Sequence, residues 1–202
     1  MNLFAGCADK SLGGGLRWLN EPPTWSFDAE GRLTVEPRAH TDFFRSPEQP
    51  TRDDASLLRV LVQGDFTLSA RVAVHLVGFG DAVGLMLRLG PDCWAKLCVE
   101  RSPVGEVAIV SVVTAPWSDD ANGELLSRPE AYLRLTRRGD QIGMHYSVHG
   151  DRWRFVRAFT LGGAQAVDVG LHAQAPFAGG CRGTCDFLRL DGTAVADFRS
   201  GE

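Results

Sequence analysis

Apolar and polar positions alternate every second residue along much of this chain. In residues 66–74, Phe66, Leu68, Ala70, Val72 and Val74 fall on one side and Thr67, Ser69, Arg71 and Ala73 on the other. That is the period of a strand with one face in a core and one toward water. The same period returns in Leu85, Leu87 and Leu89, in Ala95, Leu97 and Val99, and in Leu133 and Leu135. It continues in Ile142, Met144, Tyr146 and Val148 and in Val167, Val169 and Leu171. Turn signals separate these runs, among them Gln63-Gly64-Asp65, Gly90-Pro91-Asp92, Asn122-Gly123, Gly139-Asp140 and His149-Gly150-Asp151. No stretch of about twelve residues free of Gly and Pro carries a helical period. The pattern predicts an all-β fold: about a dozen short strands in two antiparallel sheets packed face to face.

Composition adds the domain count. A chain of 202 residues, 44% hydrophobic and 23% charged, is one domain able to bury a sizeable core. Residues 1–15, with Gly13-Gly14-Gly15 at their end, read as a flexible lead, residues 16–192 as the sandwich and residues 193–202 as a tail. Twenty-one Lys and Arg stand against 25 Asp and Glu, a net charge of -4, and no basic block stands out, so nucleic acid is not an expected partner. Residues 107–118 carry no charge but contain Pro116 and fall short of the roughly 20 residues a membrane helix needs. The Leu3-Phe4-Ala5-Gly6-Cys7 string looks like a lipoprotein cleavage box, yet no basic and apolar stretch precedes it, so a cytoplasmic location is expected. The five cysteines are then expected as free thiols, with a small Cys181 to Cys185 disulfide as the alternative. Zinc is disfavoured, because on a strand Cys93 and Cys98 point to opposite faces about 16 Å apart.

Candidate chemistry concentrates on one strand. Trp94, Lys96, Cys98 and Glu100 share the face opposite Ala95, Leu97 and Val99. A Trp plate beside a cation and a carboxylate suits a sugar or a small polar ligand. By the same alternation Met86 and Arg88, Tyr132 and Arg134, His145 and Ser147, and Asp168 and His172 also look away from the core. They would converge on one surface if their strands belong to one sheet. The string Ser118-Asp119-Asp120-Ala121-Asn122-Gly123-Glu124 places hard oxygen donors in what reads as a turn, the one candidate for calcium; no other cofactor is expected. Retaining glycoside hydrolysis needs two carboxylates about 5 to 5.5 Å apart, and no Glu-x-Asp-x-x-Glu string supplies them. A Gly-x-Ser-x-Gly elbow and a phosphate-binding Lys-Ser or Lys-Thr loop are also absent from the sequence.

Several strings in order resemble a known family. They are Asn20-Glu21-Pro22-Pro23-Thr24-Trp25, Thr41-Asp42-Phe43-Phe44, Asp81-Ala82-Val83-Gly84-Leu85-Met86, Trp94-Ala95-Lys96-Leu97-Cys98-Val99-Glu100, Ser111-Val112-Val113-Thr114, Ser118-Asp119 and Ser147-Val148-His149-Gly150-Asp151-Arg152-Trp153. The set is similar to a domain family of unknown function that includes a fungal regulation-of-enolase protein. The chain departs from the family pattern at Ala82-Val83, at Asp120, where Trp is usual, and at His149-Gly150. The resemblance implies a concanavalin A-like lectin and glucanase fold, a jelly-roll sandwich with a concave face. The expectation is a binding module that holds a carbohydrate or small polar ligand through Asp81, Trp94, Lys96, Glu100, Asp119, Arg134 and His145. The alternatives are an enzyme acting on sugars through Asp81, Glu100 or Asp119, and a protein-interaction module that self-associates as a homodimer through a sheet face.

Overall fold

The computed structural model describes residues 1–177 and 179–202, and among these it contains sixteen strands and no helix. The first six are β1 (Arg17–Leu19), β2 (Thr24–Phe27), β3 (Leu33–Glu36), β4 (Phe43–Ser46), β5 (Gln49–Asp53) and β6 (Ser56–Gln63). The next five are β7 (Phe66–His75), β8 (Ala82–Gly90), β9 (Cys93–Arg101), β10 (Val107–Thr114) and β11 (Ser118–Leu125). The last five are β12 (Glu130–Arg138), β13 (Gln141–Ser147), β14 (Arg154–Thr160), β15 (Ala166–Gln174) and β16 (Arg182–Asp191). Two seven-stranded antiparallel sheets result, in the orders β1-β6-β15-β8-β9-β10-β11 and β14-β13-β12-β7-β16-β3-β2. We call them the first and second sheet. The β4–β5 hairpin forms a separate two-stranded ribbon.

The main core lies between the two large sheets. In β7 the expected five residues, Phe66 through Val74, are buried, while Thr67, Ser69, Arg71 and Ala73 are partly exposed. Leu85 and Leu87 of β8, Leu97 and Val99 of β9, and Val169 and Leu171 of β15 belong to the same cluster as Leu68, Val72, Leu133 and Leu135 of the second sheet. Each such side chain contributes roughly 1.5 to 3 kcal/mol when fully buried.

The ends of the chain differ from expectation. The first fifteen residues are not a loose lead: Leu3, Phe4 and Cys7 enter the main core, and the Phe4 ring meets Phe27 edge-on with centroids 5.0 Å apart. The Leu3 amide donates to the Leu188 carbonyl and the Leu190 amide to the Met1 carbonyl, so the segment docks along β16. The final residues also pack, with Phe198 buried against the second sheet. Apolar side chains at Leu3, Phe4 and Phe198 reward docking enough to offset the ordering of short segments.

The larger difference concerns the outward faces. Strands β8, β9, β12, β13 and β15 are buried on both sides over most of their length. A second apolar cluster lies on the outward face of the first sheet, built from Phe43, Leu57, Met86, Trp94, Cys98, Val110 and Val112. The acidic string at 118–124 is part of edge strand β11 rather than a calcium loop, so its side chains alternate sides instead of converging. Among the described residues no group of three or more His, Cys, Asp or Glu is arranged to hold a metal ion, and no helix is long and apolar enough to cross a membrane. All five cysteines are free.

Candidate functional site

Register places the outward residues of β9 in rows across the first sheet. Lys96 stands between Met86 and Val112, with Asp120 one strand beyond Val112. Glu100 stands between Ala82 and Ala108, with Gln174 one strand beyond Ala82. The β4–β5 ribbon covers this face. Lys96 fastens it: its Nζ donates to the Phe43 carbonyl at 2.8 Å, to Gln174 Oε1 at 2.8 Å and to Asp42 Oδ1 at 3.3 Å. Gln174 in turn donates from Nε2 to the Gly80 carbonyl at 3.0 Å, so ribbon, sheet and the loop before β8 are tied through one ammonium and one amide.

The cover leaves a cavity of about 320 Å³. Its floor is Lys96, Glu100, Val112, Asp120 and Gln174. The ribbon supplies Asp42, Phe44, Gln49, Pro50 and Arg52, and the loops flanking β8 and following β15 supply Phe79, Gly80, Pro176 and Phe177. Phe79 and Phe177 are exposed and stack at a centroid distance of 4.9 Å with an interplanar angle of 7°. A larger depression next to His75, Arg128 and Arg182 is shallow and open to solvent, so the enclosed cavity is the better ligand site.

Burial sets the electrostatics of the floor. It pushes the Glu100 carboxyl up to about 7; the Lys96 ammonium opposes this, and Asp120 and Asp42 add to it. Glu100 has one donor, the Cys98 thiol at 3.6 Å. Partial desolvation likewise raises the Asp120 carboxyl despite Lys96, although the residue sits on the exposed edge strand. At Lys96 burial alone would lower the ammonium, but Asp42, Cys98, Glu100 and Asp120 outweigh it, so the group stays charged. His172, with neither ring nitrogen partnered, is held neutral by burial.

The expected site residues part company here. Lys96 and Glu100 line the cavity. Trp94 is fully buried in the second apolar cluster, tilted against Phe43 at 6.1 Å, so no sugar reaches its face. Asp81 is buried beside the cavity and accepts from the Val77 and Gly78 amides at 2.9 and 2.7 Å, which shapes the loop carrying Phe79. Asp119 is exposed and pairs with Arg157 of the second sheet at 3.2 Å. Arg134 and His145 lie on the second sheet, so the convergence on one surface does not occur. Their outward face is closed by the C-terminal residues: Arg134 donates to the Gly201 carbonyl at 2.6 Å, and His145 Nε2 lies 2.7 Å from the Phe198 carbonyl.

Sequence reasoning did not name Asp42, Gln174, Phe44, Phe79 or Phe177 as ligand residues, and it named Asp120 only within the acidic string considered for calcium. For two of them a signal existed. Gln174 follows His172 at the strand period, and Asp42 lies in one of the family-like strings. Nothing local marks the aromatic residues, because their role depends on what the loops reach.

Residues 18–192 match the family "Protein of unknown function (DUF1349)", and the chain belongs to that family. "Regulation of enolase protein 1" of Saccharomyces cerevisiae (strain ATCC 204508 / S288c) is 29% identical over 171 residues, covering 83% of this chain and 84% of the yeast protein. The crystal structure of a functionally unknown protein from Saccharomyces cerevisiae superposes with a TM-score of 0.82 at 28% identity, over 91% of this chain and 98% of that one. The GH43 BlXynB protein of Bacillus licheniformis gives 0.74 at 14% identity, over 94% of this chain but 38% of its own. The alginate lyase of Klebsiella pneumoniae gives 0.57 at 11% identity, over 85% and 84%. At such identities the last two show a shared fold.

Proposed function

We propose that this chain handles carbohydrate, on a concanavalin A-like scaffold, by seating one saccharide unit in the cavity under the β4–β5 ribbon. The observation that carries the reading is the cavity itself: a polar floor of Lys96, Glu100, Asp120 and Gln174 beneath walls of Phe44, Pro50, Phe79, Pro176 and Phe177. A sugar ring needs hydrogen-bond partners for its hydroxyls and an apolar surface for its C–H face, and a space of about 320 Å³ is of ligand-pocket size. The fold shared with a GH43 glycoside hydrolase and an alginate lyase supports the same substrate class.

Chemistry on the bound sugar is the second reading, favoured by Glu100. A carboxyl near 7 gives and takes a proton at neutral pH, as a general acid or base must. It would act without a retaining nucleophile at Asp120. That residue is two strands away and four residues along in register, well beyond the 5 to 5.5 Å that double displacement needs. A thermal-shift screen over mono- and oligosaccharides, followed by product analysis of every hit, tests both. A ligand at 100 times its Kd adds about 2.7 kcal/mol and raises the melting temperature visibly. Absence of any saccharide hit would remove the reading; hits without products leave binding alone.

A further inference from the structure

The charges and the aromatic walls of the cavity together select more narrowly than a sugar pocket requires. Three carboxylates, Asp42, Glu100 and Asp120, line the cavity together with a single buried ammonium, Lys96, whose hydrogens go to Phe43, Gln174 and Asp42. Asp42 therefore shares its charge with Lys96, while Glu100 has only a thiol donor. Arg52, the other cation of the lining, donates to the His40 carbonyl and keeps its charge. The lining thus carries three carboxylates against two cations, and at its more buried end, around Glu100, an unpaired carboxylate is costly and a ligand cation is rewarded. An independent feature points the same way. Phe44, Phe79 and Phe177 present π surfaces at the walls, and the face of an aromatic ring attracts an ammonium as well as a C–H surface.

We infer that the saccharide unit seated in this cavity carries an ammonium group, which pairs with Glu100 beneath the phenylalanine walls, with the Asp120 carboxylate farther along the floor adding to the attraction. The inference rests on the reading of the cavity as a saccharide site and names the class of sugar. It also sets a pH dependence. The groups around Glu100 are Lys96 and Cys98 on its own strand, Asp120 on β11, Asp42 and Arg52 from the ribbon side, and neutral His172 on β15. Glu100 changes charge at about 7, so a sugar whose amine stays protonated, as that of the 6-amino analogue does, binds more tightly as pH rises from 5.5 to 7.5. A neutral sugar does not gain in that interval.

The test is calorimetric titration of the whole chain with methyl glucoside, its 2-amino and 6-amino analogues, and cyclohexylamine. At pH 7.5 at least one amino analogue should bind at least about tenfold more tightly than methyl glucoside. Glu100→Gln should cut that preference to about threefold or less, and Glu100→Ala gives the same reading should the first variant fail to fold. Equal affinity for amino and parent sugars, or a preference that survives both substitutions, would overturn the ammonium inference while leaving the saccharide reading intact. Binding of cyclohexylamine with no binding of any sugar would overturn the saccharide reading and keep the cation site. No binding by any of the four probes would overturn both.

Discussion

The outward faces of the two sheets carry similar side chains and end differently. Each presents buried charged or polar groups on strands whose other side feeds the main core: Lys96 and His172 on the first sheet, Arg134 and His145 on the second. Each is covered by a segment from outside the sheet. On the second sheet the C-terminal residues fill the space. Arg134 lies 4.2 Å from the Trp153 ring centroid and bonds Gly201, His145 meets the Phe198 carbonyl, and Arg138 stacks on the Phe198 ring at 4.9 Å. Burial there lowers the imidazole of His145 to about 4, so it is neutral and inert at physiological pH. On the first sheet the ribbon is fastened at Lys96 but spans a gap, and the gap is the cavity. The lesson is that a charged residue facing away from a core marks a site only where its cover leaves room.

Lys96→Ala should have the largest effect. It leaves Asp42, the Phe43 carbonyl and Gln174 short of a donor and unfastens the ribbon. Breaking a buried pair from one side costs about 3 to 5 kcal/mol, which lowers the melting temperature by about 6 to 20 °C in a chain of this size. A shift under about 2 °C would mean that the ribbon is held by its apolar contacts alone.

Glu100→Gln separates the cavity from the filled face by pH. A folded-state carboxyl near 7 lies above its ordinary 4.5. Its proton therefore stabilises the fold fully below about pH 4.5, and that contribution is lost as pH rises through about 7. The glutamine variant should be more stable than the parent at pH 8 by up to about 3 kcal/mol, with the gap closing below pH 4.5 in urea titrations. Parallel stability curves for the two proteins across that range would contradict the raised carboxyl.

Phe198→Ala probes the other face. Losing one buried phenyl should cost about 1.5 to 3 kcal/mol, and hydrogen exchange should then rise first at β13 and β14, next to the plug. Saccharide binding should stay as in the parent; a lost affinity would show that the two faces are coupled. Asp119→Ala should do least, because its pair with Arg157 is exposed: stability within about 0.5 kcal/mol and unchanged binding. A binding defect in this variant would move the site toward the sheet edge.

Much of the fold was legible because strand periodicity is local. The alternation of Phe66 through Val74 specified both that β7 exists and which face it buries, since successive side chains point to opposite sides whatever the rest of the chain does. Glu100 and Lys96 were legible for the same reason, as the polar half of β9. Trp94 was misjudged by that logic: its parity was right, but Phe43 lies over it.

The sequence by itself determined the strands, their inward faces and the two charged residues at the centre of the candidate site. Only the tertiary structure decided which outward face would be roofed and which plugged. Lys96 is separated from Asp42 by 54 residues and from Gln174 by 78, and Arg134 from Gly201 by 67. Those approaches depend on loop paths and on the closing of both sheets around one core, and no period along the chain encodes them. The cavity, its charge surplus and its aromatic walls are products of that closure.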